Sequence, residues 1–295
     1  MSKDAEPIVV GVDGSDDGLR AVEFGARLSQ DTDRGLRLVH AVDDAVLAGA
    51  WGVIYDPTML QESGRRAVDE AKERALDLGV SPERLQAEVF MGNPGAVLTR
   101  LSESASMVVV GRRAISGLER LFVGSTSAGI ATTSHAPVIM ISAASNPGPT
   151  GDRKVIGVGL DDSPKRAHAL DWAFREAQRR GGEVEAVHAW QPPRGFFTGD
   201  AREGEDERIA AVEKVVSQTM KEVAEKYPDV PHTLDIVEAH AVDELTRRSG
   251  RYGLLVLGVN PHLPGLAPGA RIRALMAHAS CPLALLRLED ARGEK

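Results

Sequence analysis

Aromatic residues make up only 4% of this 295-residue chain, although 42% of it is hydrophobic, so its cores must be built mostly from aliphatic side chains. Cysteine is scarcer still. Cys281 stands alone, which excludes an intrachain disulfide and suits a reducing compartment. Its setting, Ala279-Ser280-Cys281-Pro282 before an apolar run, reads as the start of a buried strand, with Cys281 as a small core residue rather than a nucleophile. Basic charge is also in deficit: 35 Lys and Arg against 43 Asp and Glu leave a net charge of −8. That argues against nucleic acid as a partner, because phosphates need a basic face. No apolar run approaches the roughly 18 residues of a membrane span. The start, MSKDAEPIVVGVDGS, lacks the basic beginning and long apolar stretch of a signal peptide. A cytoplasmic protein without membrane association is expected. The lysine-bearing phosphate loop G-x-x-x-x-G-K-[ST] and the G-x-G-x-x-G fingerprint are both missing. The histidines and the lone cysteine form no zinc-spaced cluster. No positioned nucleophile and base stand out, so no catalytic residue and no metal ligand are assigned.

What is present is a repeat. IVVGVDGSDDGLRAVEFGARLS (Ile8–Ser29) is answered by VIGVGLDDSPKRAHALDWAFREAQ (Val155–Gln178), each an apolar run, then Asp-x-Ser, then an amphipathic segment. LRLVHAV (Leu36–Val42) is answered by VEAVHAW (Val184–Trp190), SMVVVG (Ser106–Gly111) by GLLVLG (Gly253–Gly258), and SHAPVIMIS (Ser134–Ser142) by ASCPLALLR (Ala279–Arg287). Four matches in register imply duplication. The stretch SAASNPGPTGD (Ser142–Asp152) reads as the linker. Two domains, residues 1–146 and 147–295, are expected.

In copy one, strands are predicted near Ile8–Val12, Leu36–Val42, Leu85–Phe90, Met107–Val110 and Val138–Ile141, with helical patterns between them. In copy two Ala167, Leu170, Phe174 and Ala177 share one helical face, opened by Ser163-Pro164. Uninterrupted apolar runs suit strands buried on both faces. The fold class is therefore α/β: two open five-stranded parallel sheets in tandem, Rossmann-like, with helices on both faces. Ligands of such sheets bind beyond the strands' carboxyl ends. There, after strand four, Gly111 is followed by Arg112 and Arg113, and further on by Gly124, Ser125 and Thr126 before a helical stretch. A helix start with small hydroxyl residues offers free N–H groups and the positive end of the dipole, a phosphate cradle without a lysine. Arg112 and Arg113 offer charge to a phosphate or form a solvated surface pair.

These residues resemble the universal stress protein family. Members that bind ATP carry Gly, two residues, Gly, nine residues, then Gly and Ser or Thr; Gly111, Gly124 and Ser125 match, and Ala114 stands where the second glycine would be. An added methyl there fits a right-handed backbone and obstructs one with positive φ. Gly117-Leu118-Glu119-Arg120-Leu121 and His135-Ala136-Pro137 are also family-like. The resemblance implies the adenine nucleotide alpha hydrolase-like fold and a cytoplasmic stress-response protein. It would bind ATP or a related adenine nucleotide, with or without magnesium, and act through nucleotide-dependent conformation or a protein partner. It also implies that Asp13, preceded by Gly11 and Val12, faces the adenosine; the plain alternative is a helix cap or turn. Ala41 is placed near the base. The last strand of each copy, Val138–Ile141 and Leu283–Leu286, would make dimer contacts in the family, between homodimer partners or between the two copies of one chain.

Copy two departs further. Gly159 and Asp161 are kept, but Gly258-Val259-Asn260-Pro261 puts proline at the second glycine's place, and Gly269-Ala270 replaces Gly124-Ser125 in a loop two residues shorter. Its nucleotide motif is degenerate. A nucleotide-independent scaffold is therefore the alternative function, and a nucleotide-processing enzyme the next, although a His-x-x-His signature is lacking. His40 and His188 share one strand-two position, which favours packing or a backbone hydrogen bond. The acidic run Glu203–Glu207 is expected just ahead of a helix Ile209–Lys226. Trp51, Tyr55, Phe196 and Phe197 mark two loops as lids, partner surfaces or packing.

Overall fold

The computed structural model describes residues 6–43, 57–112, 124–145, 154–163, 165–191, 199–260 and 268–288. The chain forms two compact units. Unit 1 is Met1–Pro147 with Val259–Ala277 and Pro282–Arg287; unit 2 is Gly148–Gly258 with His278–Cys281 and Leu288–Lys295. Trp51, Tyr55, Phe196, Phe197, Arg113 and Ala114 lie outside the described residues.

Copy one alternates strand and helix: β1 (Ile8–Gly11), α1 (Asp16–Thr32), β2 (Leu36–Val42), α2 (Pro57–Asp77), β3 (Leu85–Met91), α3 (Pro94–Leu101), β4 (Met107–Gly111), α4 (Ser125–Thr133) and β5 (Val138–Ile141). β1 pairs in parallel with β2 and β4, β2 with β3, and β4 with β5. β1 is covered on both sides: a Cβ on Gly11 would meet Leu98 of α3, and one on Gly25 of α1 would strike Val10. That is why Ile8, Val9 and Val10 form an unbroken apolar run instead of alternating with polar residues. Ser15 caps α1 by accepting from the Gly18 N–H, and Asp16 and Asp17 in the first turn complement the helix dipole. α1 ends at Asp33, whose φ of 56° is the left-handed cap usually given to glycine. Copy two has glycine there, Gly181.

Unit 2 repeats the plan with β6 (Val155–Leu160), α5 (Arg166–Arg180), β7 (Glu183–Trp190), α6 (Gly199–Ala224), β8 (His232–Glu238), α7 (Ala241–Ser249) and β9 (Leu254–Val259). β6 pairs in parallel with β7 and β9, and β7 with β8. Leu170, Phe174 and Ala177 are fully buried on α5. The helix starts later than Ser163-Pro164 suggests. Lys165 is its N-cap, because Ser163 is spent on a turn in which its carbonyl accepts the Arg166 N–H. α6 starts earlier than expected and takes in Glu203–Glu207. Within the linker, Ala143–Ser145 form a single 3₁₀ turn held by hydrogen bonds between Ser142 and Ser145.

The chain closes with α8 (Ala270–His278) and β10 (Leu283–Arg287). Cys281 is buried, as a core residue. In unit 1, β10 pairs antiparallel with β5, setting Leu283 opposite Met140, Ala284 opposite Ile139 and Leu285 opposite Val138. The two last strands thus meet within one chain, and the apolar edge of β5, an aggregation hazard if open, is covered. Ile139→Asp would bury an unpaired charge in this pairing. It is expected to lower the unfolding free energy by about 3–5 kcal/mol in urea titration. An unchanged midpoint would show that the pairing does not persist in solution.

Candidate functional site

In copy one β2 lies on one side of β1 and β4 on the other, so the chain leaves β1 in opposite directions and a crevice opens beyond the strands' carboxyl ends. A cavity of about 180 Å³ occupies it, more than the ~150 Å³ that suffices for a benzene ring. Gly11, Val12, Asp13, Ala41, Gly111, Gly124, Ser125 and Thr126 all line it. Sequence reasoning missed the rest of the wall: Val39, Pro94, Leu98, Val110 and Ser127, with His40 assigned to packing or a backbone hydrogen bond. Two signals were available. Period-two alternation along β2 puts Val39 on the same face as Ala41. Asn93-Pro94 is a cap followed by proline, opening α3 over that face.

Asp13 lines the cavity in a turn of its own making. Its Oδ1 accepts from the Ser15 N–H at 3.0 Å and the Ser15 hydroxyl at 2.5 Å. Gly14 adopts φ 75°, and a Cβ on Gly18 would come within 2.6 Å of Asp13 Oδ1, so the two glycines make this turn sterically feasible. Gly124, also in the lining, caps α4 without a side chain and donates its N–H to the Arg112 carbonyl at 3.1 Å. Ser127 donates its hydroxyl to the Gly111 carbonyl at 2.8 Å, which ties α4 to the end of β4. The hydroxyls of Ser125 and Thr126 have no protein partner among the described residues, and the first N–H groups of a helix have no acceptor inside it. These are the unspent donors of the site.

Two expectations change in their reasons. The motif match implies a ligand-binding role for Gly111. The space its Cβ would take is instead held by α1, with the Asp17 carbonyl carbon at 2.7 Å and the Gly18 nitrogen at 2.8 Å, so close packing requires this glycine first. Arg112 is buried, only 3% exposed, and is not part of the cavity wall; its N–H donates to the Ile141 carbonyl at 2.7 Å. Both histidines make the backbone hydrogen bond anticipated for them. His40 Nδ1 lies 2.8 Å from the Val12 carbonyl, and His188 Nδ1 lies 3.1 Å from that of Leu160.

In copy two Gly159 lies on β6 against Leu245 and Leu257. Asp161 keeps its turn, accepting the Ser163 N–H at 3.0 Å. Gly258 faces a side chain that copy one lacks at the corresponding place: its Cβ would meet Leu288 at 2.6 Å. Gly269 precedes α8, where alanine has replaced the hydroxyl residue.

A mostly parallel sheet wrapped by helices, with a cleft at the reversal of strand order, defines an α/β fold of the doubly wound kind. The Archaeoglobus fulgidus universal stress protein crystal structure has this fold, with a TM-score of 0.69 over 97% of this chain and 99% of that one at 15% identity. The universal stress protein family model matches residues 5–142 and again 152–287, and the chain belongs to that family as a tandem member. A Mycobacterium tuberculosis universal stress protein is 29% identical over 95% of both chains, and one from Mycolicibacterium smegmatis is 28% identical over 95% of this chain and 96% of its own. Among the described residues, no helix is long and apolar enough to cross a membrane.

Proposed function

We propose that the copy-one cleft binds ATP or a related adenine nucleotide, and that the protein acts in the cytoplasmic stress response through the conformation or partner that the nucleotide favours. One observation carries this reading: the unspent donors of Ser125, Thr126 and the α4 N-terminus line a cavity together with the apolar side chains of Val39, Pro94 and Leu98 and with Asp13. Val39, Ala41, Pro94 and Leu98 form a wall suited to a flat base. Asp13, accepting two hydrogen bonds from Ser15, presents an acceptor for sugar hydroxyls. The α4 N-terminus suits phosphate oxygens by charge and by hydrogen bonding. Magnesium would come with the phosphates.

Calorimetric titration with ATP, with and without magnesium and alongside cyclic AMP, tests the reading. Saturable binding of about one equivalent per chain is expected. Gly124→Val should weaken it at least tenfold, because a branched side chain at the α4 cap crowds the donors. No binding by a folded protein would transfer the function to a nucleotide-independent scaffold.

A further inference from the structure

The two copies differ in charge where the first helix begins. In copy one, Asp17 and Gly18 follow the capping serine: Asp17 Oδ1 accepts the Ala143 N–H at 2.9 Å, and Gly18 has no room for a side chain beside Asp13. In copy two the corresponding pair is Lys165 and Arg166. α5 has no side-chain cap and no acidic residue in its first turn, so two cations stand at the positive end of a 15-residue helix. The dipole disfavours this arrangement unless a negative charge joins it.

Arg166 is the informative member. It is only 6% exposed, and its Nε donates to the Asp161 carbonyl at 2.9 Å, which holds the guanidinium at the carboxyl end of β6 beside the α5 N-terminus. Among the described residues no carboxylate lies within ion-pairing distance of it, and its two terminal nitrogens have no hydrogen-bond partner. Buried arginines elsewhere in unit 2 are treated differently: Arg248 reaches Glu185, Asp235 and Glu244. The nearby acids are engaged on other groups. Asp161 Oδ1 accepts the Ser163 N–H at 3.0 Å, and Asp162 lies 3.6 Å from His188 Nε2. Lys165 Nζ donates to the Leu288 carbonyl at 3.3 Å. A guanidinium on a residue only 6% exposed, with two terminal nitrogens unpartnered among the described residues and placed at a helix N-terminus, suits an oxyanion.

We propose that unit 2 holds an oxyanion site at the start of α5, in which the terminal nitrogens of Arg166 grip two oxygens of a phosphate or carboxylate group and the helix N-terminus adds its field. The site is separate from the copy-one cleft and uses none of the glycine-motif residues. Copy two has thereby exchanged a nucleotide motif for a small-anion hook.

The test uses the full chain carrying Gly124→Val, so that the copy-one donors do not contribute. Inorganic phosphate and, separately, acetate are titrated while the Arg166 Nε–H resonance is followed by NMR, assigned by its loss in Arg166→Lys. A saturable shift is expected, and Arg166→Gln should weaken calorimetric phosphate binding about tenfold or more. Binding of phosphate alone would mark a phosphoryl ligand, and binding of both a general oxyanion site. A resonance indifferent to both anions overturns the proposal, and so does a shift that sodium chloride reproduces at equal ionic strength, which would mean an adventitious ion only. The resonance is read in protein that retains Arg166, so the result stands even where Arg166→Gln fails to fold.

Discussion

Arg248→Met is expected to lower the stability of unit 2 by about 3–5 kcal/mol, read as a fall in the urea midpoint. The guanidinium donates to Glu185 at 2.6 Å, to Asp235 at 2.5 Å and to Glu244 at 2.6 Å, with its side chain only 7% exposed. Glu185 also accepts from Arg251 and, at 2.7 Å, from the hydroxyl of the fully buried Tyr252. Removing the cation strands carboxylates that are 12% and 14% exposed in Glu185 and Glu244, and an unpaired buried charge costs more than the pair had gained. The same network sets a pH dependence. Hydrogen bonding from Arg247 above all, then from Arg248, holds the Glu244 carboxyl down at about 2. Burial pushes Glu185 upward, but hydrogen bonds from Tyr252, Arg248 and Arg251 outweigh it and leave the carboxyl lowered. Depressed carboxylates stabilise the fold above their unfolded value of about 4.3, and that contribution is lost as pH falls through the folded values. Wild-type stability should therefore drop between about pH 4 and pH 2, and Arg248→Met should flatten this part of the profile. Parallel profiles would remove the network as the cause.

Gly157→Ala should be nearly as damaging, at about 3 kcal/mol. A Cβ on this β6 glycine would come within 2.3–2.8 Å of the Tyr252 ring. The ring cannot move aside cheaply, because its hydroxyl is fixed on Glu185 and the residue is fully buried. Tyr252→Ala in the Gly157→Ala background tests the mechanism, since the alanine methyl has no ring to strike there. The two substitutions together should cost less than the sum of their separate losses by at least about 1 kcal/mol. Additive losses would show that the ring is not the obstacle.

Much of unit 1 was legible because its signals are local. β2 and β5 run as their apolar patterns indicate, Leu36–Val42 and Val138–Ile141, and the cleft residues Asp13, Gly111 and Gly124 to Thr126 lie where strand ends and helix starts put them. What failed was side-chain destination. Arg112 sits between motif glycines, yet the turn out of β4 buries it away from the cavity wall. The Gly111 requirement comes from the α1 backbone, some ninety positions away in sequence, and no spacing rule reaches that far.

The sequence by itself determined the repeat, the α/β class and the family, because hydrophobic period and the order of short motifs are properties of consecutive residues. Tertiary structure decided between the two pairings open to β5 by setting β10 against it in unit 1, and it alone decided that Leu288 would pack against Gly258 and that Arg248 would find three carboxylates while Arg166, among the described residues, found none. Those outcomes depend on which surfaces meet after folding. Contact energy between distant segments is set by geometry in three dimensions and leaves no periodic trace along the chain.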